Sequence, residues 1–342
     1  MTVDRVVIIG FGSMGQRYLR LIRQILPKVQ IGILASRSNR TIQAPSVCVL
    51  SNMAEVKCFL PDIGIICNPA PFHLDFARQL AELNVHLLIE KPLSVDLKGV
   101  ENLIQICNKS NLKLALGYNL RFLPSLKKFK SFIDENLIGS ILSVRCEVGQ
   151  YLPEWRKNTK YQHSVSAQKK LGGGVLLELS HELDYLIWIF GKVEWVQATL
   201  TTQSDLEIDV EDVALINLGF CSKGHSKSVV ANVCLDFFRR DSTRTCIAIG
   251  NQGSLKWNGL SGKVEVLFSN ECKWQEVFSC QEGGDQTYSD EIKNLLNSIE
   301  NGTNPLIGIF DGINVLHVIE AIRASDSLKK VISVDELNSG FL

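Results

Sequence analysis

Apolar positions in the first third of the chain come in short unbroken runs instead of alternating. Val6-Val7-Ile8-Ile9 and the segments 30–35, 47–50, 63–67, 86–89 and 112–117 each read as a strand buried on both faces. Between them the spacing turns helical. Tyr18, Leu19 and Ile22 mark a first helix that stops near Pro27, Leu74, Phe76, Ala77, Leu80 and Leu83 mark another, and 96–108 makes a third. Strands separated by such helices require right-handed crossovers, which predicts an α/β architecture with a doubly wound parallel sheet. Ligands of such sheets sit at the carboxyl edges of the strands, and three polar loops fall there: 68–73, 90–92 and 118–121.

Beyond residue 118 the pattern changes. The segment 122–132 reads as a helix, and 141–151 alternates like a strand that opens a new sheet. A polar, aromatic and basic loop follows at 155–170. Gly172-Gly173-Gly174 then opens a helix over 176–190, on which Glu178, His181 and Asp184 lie three apart and share a face. Strand-like runs at 193–201, 213–220, 228–237 and 245–249 are followed by turn signals at Gly253, Asn258-Gly259 and Ser261-Gly262, and helices close the chain at 288–300 and 312–329. These predict two domains, 1–118 and 119–342, the second an α+β domain with a broad, largely antiparallel sheet and a C-terminal helix able to pack back on the first.

Composition narrows the partners. The 342 residues suit about two domains. The 36 basic and 36 acidic side chains cancel, so no global field draws the protein to nucleic acid or to a membrane surface. No apolar run approaches the roughly 20 residues of a spanning helix, and Asp4 stands inside what would be a signal sequence, so a cytoplasmic location is expected. The ten cysteines contain no C-x-x-C pair and read as small hydrophobes in a reducing compartment; the histidines form no metal-like cluster. No metal is expected.

The first strand breaks into Gly10-Phe11-Gly12-Ser13-Met14-Gly15, a G-x-G-x-x-G run in the strand–turn–helix context it needs. Gly10 permits the turn, Gly12 lets backbone approach a pyrophosphate, and Gly15 lets the helix lie close to the strand. Helix N–H groups and the positive dipole end would face the phosphates. Asn68, Pro69 and His73 of one edge loop, with Glu90 and Lys91 of the next, join the turn as expected cofactor contacts. An acidic residue normally binds the adenosine ribose at the end of the second strand; here Ser36 and Arg37 stand there, which favours NADP over NAD, with NAD left open.

With the glycine turn, the Asn-Pro-Ala-Pro-Phe-His run from Asn68, Glu90-Lys91-Pro92, and Gly172-Gly173-Gly174 followed by His181, the chain resembles the glucose-fructose oxidoreductase, inositol dehydrogenase and rhizopine catabolism (Gfo/Idh/MocA) family. The resemblance implies a Rossmann domain, a C-terminal domain on an open mixed sheet, nicotinamide-dependent redox chemistry on sugars or related polyols, and a homodimer or homotetramer formed through that sheet. It places the catalytic lysine on Lys91, with a cis bond before Pro92, and the second catalytic group on His181. The family's aspartate, four residues before that histidine, is replaced by Leu177, leaving Glu178 as the candidate carboxylate. Asn119 and Arg121 after the sixth strand, and Tyr151, Trp155 and Tyr161 in the aromatic loop, are of types that orient or stack on a sugar-like substrate. Two alternatives stay open: a nicotinamide-binding redox sensor without turnover, and a reductase of a non-sugar such as a linear tetrapyrrole or an imine.

Overall fold

The computed structural model describes residues 3–35, 47–156, 160–221, 228–281 and 284–338. The chain divides into two units, Met1–Asn119 with Gly284–Ile313, and Leu120–Gly283 with Asn314–Leu342. The division therefore departs from a single cut at 118, because a later segment returns to the first unit.

In the first unit the order is β1 (Arg5–Ile9), α1 (Ser13–Ile25), β2 (Gln30–Leu34), β3 (Val47–Leu50), α2 (Met53–Phe59), β4 (Ile63–Ile66), α3 (His73–Glu82), β5 (His86–Ile89), α4 (Val100–Lys109) and β6 (Leu114–Leu116). The strands pair in parallel in the order β3-β2-β1-β4-β5-β6. Val6, Val7, Ile8 and Ile9 are all buried, as a central parallel strand covered on both faces requires. Consecutive strands run outward in opposite directions from β1 and β4, so the loops that leave those two strands part and open a crevice at their carboxyl ends. The helix expected from 96 begins only at Val100, after Gly99 in a left-handed conformation.

The second unit holds α5 (Pro124–Asp134), β7 (Ile141–Gly149), α6 (Val175–Glu178), α7 (His181–Phe190), β8 (Val193–Thr201), β9 (Val213–Phe220), β10 (Val229–Asp236), β11 (Thr243–Gly250), β12 (Gly253–Asn258), β13 (Lys263–Phe268) and β14 (Gln275–Ser279). After α8 (Gln286–Asn301) in the returning segment come α9 (Ile309–Leu328), β15 (Ile332–Ser333) and α10 (Val334–Asn338). Its strands follow the order β14-β13-β12-β11-β7-β10-β9-β8-β15, antiparallel except for the β7–β10 pair. One face is core: Val144, Cys146 and Val148 on β7, Ile216 and Leu218 on β9, and Ala231, Val233 and Leu235 on β10 are buried. On the opposite face Leu215 and Val230 are exposed, and Asn232 donates to Asn217 across the strands at 3.0 Å.

Two expectations are corrected. The helix predicted over 176–190 is two helices, broken at Leu179 and Ser180, so its residues do not follow one continuous helical face. The cysteines are also less uniformly internal than expected: Cys107, Cys146 and Cys246 are buried, whereas Cys48, Cys58 and Cys272 are exposed. No helix among the described residues is long and apolar enough to cross a membrane.

Candidate active site

The glycine turn between β1 and α1 is built to press against β4. A Cβ on Gly10, whose φ is +96°, would lie 2.7 Å from the Asn68 nitrogen, and one on Gly15 would lie 2.2 Å from the Gly10 carbonyl oxygen. The Cys67 thiol lies under the turn and donates to the carbonyls of Ile9 and Gly10 at 3.4 and 3.3 Å. A Cβ on Gly12 would meet no heavy atom within 4 Å, so the backbone there is open on the side from which a ligand approaches. Gly12 caps α1 with no side-chain cap, and no acidic residue stands in the first turn, leaving the helix end suited to an anion. Asn68 Oδ1, at the end of β4, is buried with no hydrogen-bond partner among the described residues. An open glycine, an uncapped helix N-terminus and a buried spare acceptor at the switch point together fit a dinucleotide.

His73 ties this loop to the next. Nδ1 lies 2.9 Å from the Pro92 carbonyl oxygen and Nε2 lies 2.7 Å from that of Asn68, with the ring 1% exposed. Burial pushes its pKa down, against the opposing pull of those carbonyls. The sequence offers His73 as a cofactor contact; its ring spans the two loops, and in the neutral form its one N–H donates to one of these carbonyls. Pro92 belongs to the Glu90-Lys91-Pro92 turn at the carboxyl end of β5, where the Lys91–Pro92 bond is cis. Glu90 is buried, with Oε2 accepting the Lys91 N–H at 3.1 Å and Oε1 accepting the Tyr18 hydroxyl at 2.8 Å. Lys91 itself is half-buried. After β6, Asn119 is 5% exposed and donates to Thr287 Oγ1 at 2.8 Å. It was expected on the substrate; here it anchors the start of α8. Ser36 and Arg37 lie outside the described residues.

In the second unit, His181 is the first residue of α7, and Glu178 is the last of α6. Both are half-buried. The third member of the expected face, Asp184, is fully buried and closed on Arg121: Nε donates to Oδ2 at 2.9 Å and Nη2 to Oδ1 at 2.6 Å. Arg121, expected to meet substrate, is 4% exposed and holds α7 in place instead. Glu182, fully buried, accepts Arg244 Nε at 2.9 Å. The sequence gives no sign of either ion pair, since a buried partner far along the chain leaves no local signal.

The aromatic loop forms a small wall. Leu152, Trp155, Arg156, Tyr161, Ser164 and Ser166 line one shallow depression, and Ser166 Oγ is buried with no partner among the described residues. The Trp155 N–H reaches the Gln150 carbonyl at 3.2 Å, and the Tyr161 hydroxyl accepts the Glu207 N–H at 3.1 Å. Tyr151 stands apart from this depression, with the Arg240 guanidinium 3.5 Å from its ring centroid.

A doubly wound sheet with an open glycine turn at its switch point defines a dinucleotide-binding protein. Residues 5–118 match the model of the oxidoreductase family's NAD-binding Rossmann fold, and 130–334 match that of the same family's C-terminal alpha/beta domain. The chain belongs to the Gfo/Idh/MocA oxidoreductase family, and it is an oxidoreductase with an NAD-binding fold. The uncharacterized oxidoreductase YrbE of Bacillus subtilis is 27% identical over 344 residues, spanning 96% of each chain. The myo-inositol 2-dehydrogenase of Thermotoga maritima is 24% identical, spanning 81% of this chain and 80% of that protein. Among solved structures, a levoglucosan dehydrogenase in complex with NADH superposes with a TM-score of 0.83 at 21% identity, covering 97% of this chain and 99% of that one.

Proposed function

We propose that this protein transfers hydride between a nicotinamide dinucleotide and a secondary alcohol or ketone of a sugar, sugar acid or nucleotide-linked sugar. The observation that carries the reading is the Glu90-Lys91-Pro92 turn, held by Glu90 and His73 at the carboxyl edge of the NAD-binding sheet. Family membership and relatives named for inositol and levoglucosan support a polyol or sugar ring. A bound nicotinamide supplies or accepts the hydride. In the oxidation direction, His181 takes the hydroxyl proton and Lys91 holds the oxygen, its ammonium offsetting the negative charge that develops there. In reduction the imidazolium returns the proton. Glu178 serves as the carboxylate that orients His181, and Trp155 and Tyr161 offer ring faces and edges to the substrate.

The phosphate groups would rest on the Gly12 to Gly15 turn, and His73 supports them by fixing the 68–73 loop against Pro92. Ser36 and Arg37 support a preference for NADP. The exposed Leu215 and Val230 on the open sheet face support a homodimer or homotetramer formed there. A cytoplasmic location fits the sequence. A thermal-shift screen of sugars, sugar acids and nucleotide sugars with NAD or NADP present, followed by the change in nicotinamide absorbance with each stabilising compound, tests the proposal. A polyol or sugar that both stabilises the protein and drives cofactor reduction is expected. Cofactor binding without turnover on any polyol, sugar, or oxidised counterpart would contradict it.

A further inference from the structure

Three ionisable side chains from distant parts of the first unit meet in its core: Tyr18 on α1, Glu90 after β5, and Glu291 on α8. The Tyr18 oxygen lies 2.8 Å from Glu90 Oε1 and 3.0 Å from Glu291 Oε2, and the three residues are 0%, 8% and 2% exposed. A phenol has one proton to donate. It can serve one of these oxygens as donor, so the other contact is a hydrogen bond only if that carboxyl carries a proton and donates to the phenol oxygen. Two carboxylates flanking one hydroxyl in a buried site would otherwise repel without a proton between them.

The surroundings say which carboxyl is neutral. Burial pushes the Glu90 pKa up as well, but the Tyr18 hydroxyl, the Lys91 charge, the Lys91 N–H that Oε2 accepts and the Arg17 charge all pull it back toward the ionised form. Among the described residues no cation acts on Glu291 and its Oε1 is buried with no hydrogen-bond partner, which a carboxylic acid's carbonyl tolerates better than a carboxylate oxygen does. The remaining titratable neighbours are Tyr288 on α8, whose ring meets Tyr18 edge-on at 6.2 Å, and Cys67 after β4. Neither side chain is itself a cation, and the Arg17 guanidinium 4.6 Å from the Tyr288 ring centroid is the same charge that acts on Glu90. Burial, reinforced by Glu90, holds Glu291 well above the usual carboxylate range.

We infer that Glu291 is a neutral acid that donates to the Tyr18 hydroxyl, which in turn donates to Glu90, so that a helix returning from the far end of the chain fixes the carboxylate holding the Lys91 turn. Glu291 and Tyr18 are positioning residues. The effect on Lys91 rests on the proposed function; the shared proton does not. Loss of that proton at alkaline pH places a second negative charge against Glu90 and loosens the turn.

Full-length protein labelled with ¹³C at glutamate side-chain carboxyls, without substrate, gives the direct test. One carboxyl resonance should stay at its protonated position at neutral pH and vanish in Glu291→Gln, which keeps a neutral donor toward Tyr18 and should fold. Every glutamate titrating in the ordinary range, or an unfolded Glu291→Gln, would overturn the inference. With an assay in hand, Glu291→Gln should remove an alkaline limb from the pH profile of turnover, and Glu291→Ala should lower turnover more than Glu291→Gln does. If no substrate is ever found, the resonance still decides the shared proton on its own.

Discussion

A buried guanidinium helps to hold α7, beside the Glu182–Arg244 pair on the same helix. Arg121 and Asp184 form a two-bond ion pair with side chains 5% and 1% exposed, so removing one partner strands a charge in the interior. Arg121→Ala should cost about 3–5 kcal/mol in chemical denaturation, whereas replacing an exposed pair such as Lys192 and Asp335 should change stability by less than about 1 kcal/mol. A loss from Arg121→Ala no larger than the surface value would show that the pair is not what anchors the helix. His73 carries a pH dependence of its own. Its folded pKa lies below the ordinary value near 6.5, so the unfolded chain binds a proton that the folded one does not. Stability is therefore full above about pH 6.5 and falls as pH drops toward the folded pKa. Denaturation midpoints measured at neutral and mildly acidic pH should show a decline that is shallower in His73→Gln.

At the scale of elements, the glycine turn separates binding from folding. Gly12 has room for a Cβ and an ordinary φ of −77°, while a Cβ on Gly15 would collide with backbone. Gly12→Ala should keep the melting temperature and weaken dinucleotide binding, and Gly15→Ala should lose about 1–3 kcal/mol of stability through overpacking. Calorimetry of unfolding and of cofactor binding on both variants separates the two effects. The parallel strands were legible in the sequence because burial on both faces leaves unbroken apolar runs such as Ile63 to Ile66. The inner strands β12 and β13 were not, since pairs such as Lys256 with Glu265, 2.7 Å apart, break the apolar pattern and left only their turns visible. The break between α6 and α7 was hidden for the opposite reason: apolar leucines run straight through it. The return of α8 was also unreadable. Its buried Ile292, Leu295 and Ile299 form the stripe of any amphipathic helix, and only the packed core shows that they meet Ile8, Tyr18 and Leu88. Of the site, Lys91 and His181 stood out by motif, while Glu291 and Asp184 gave no local sign because their partners lie 273 and 63 residues away.

For the whole molecule, two proposals concern what it binds. If Arg37 meets a 2′-phosphate, a charge-assisted contact worth about 1.5–3 kcal/mol gives roughly a tenfold to hundredfold preference for NADP(H). Titrating both cofactors into the wild type and Arg37→Ala checks it, and equal or tighter NAD(H) binding unaltered by the substitution would defeat it. If the open face of the second sheet joins subunits, Leu215→Asp should lower the molar mass in light scattering, and an unchanged oligomer would place the contact elsewhere. The most direct test of the central claim is steady-state turnover of Lys91→Ala and His181→Ala on the substrate that the screen identifies, with dinucleotide affinity measured alongside. The account predicts that each loses about 10²- to 10⁴-fold in rate while cofactor binding stays near that of the wild type. Full turnover by both variants would contradict it.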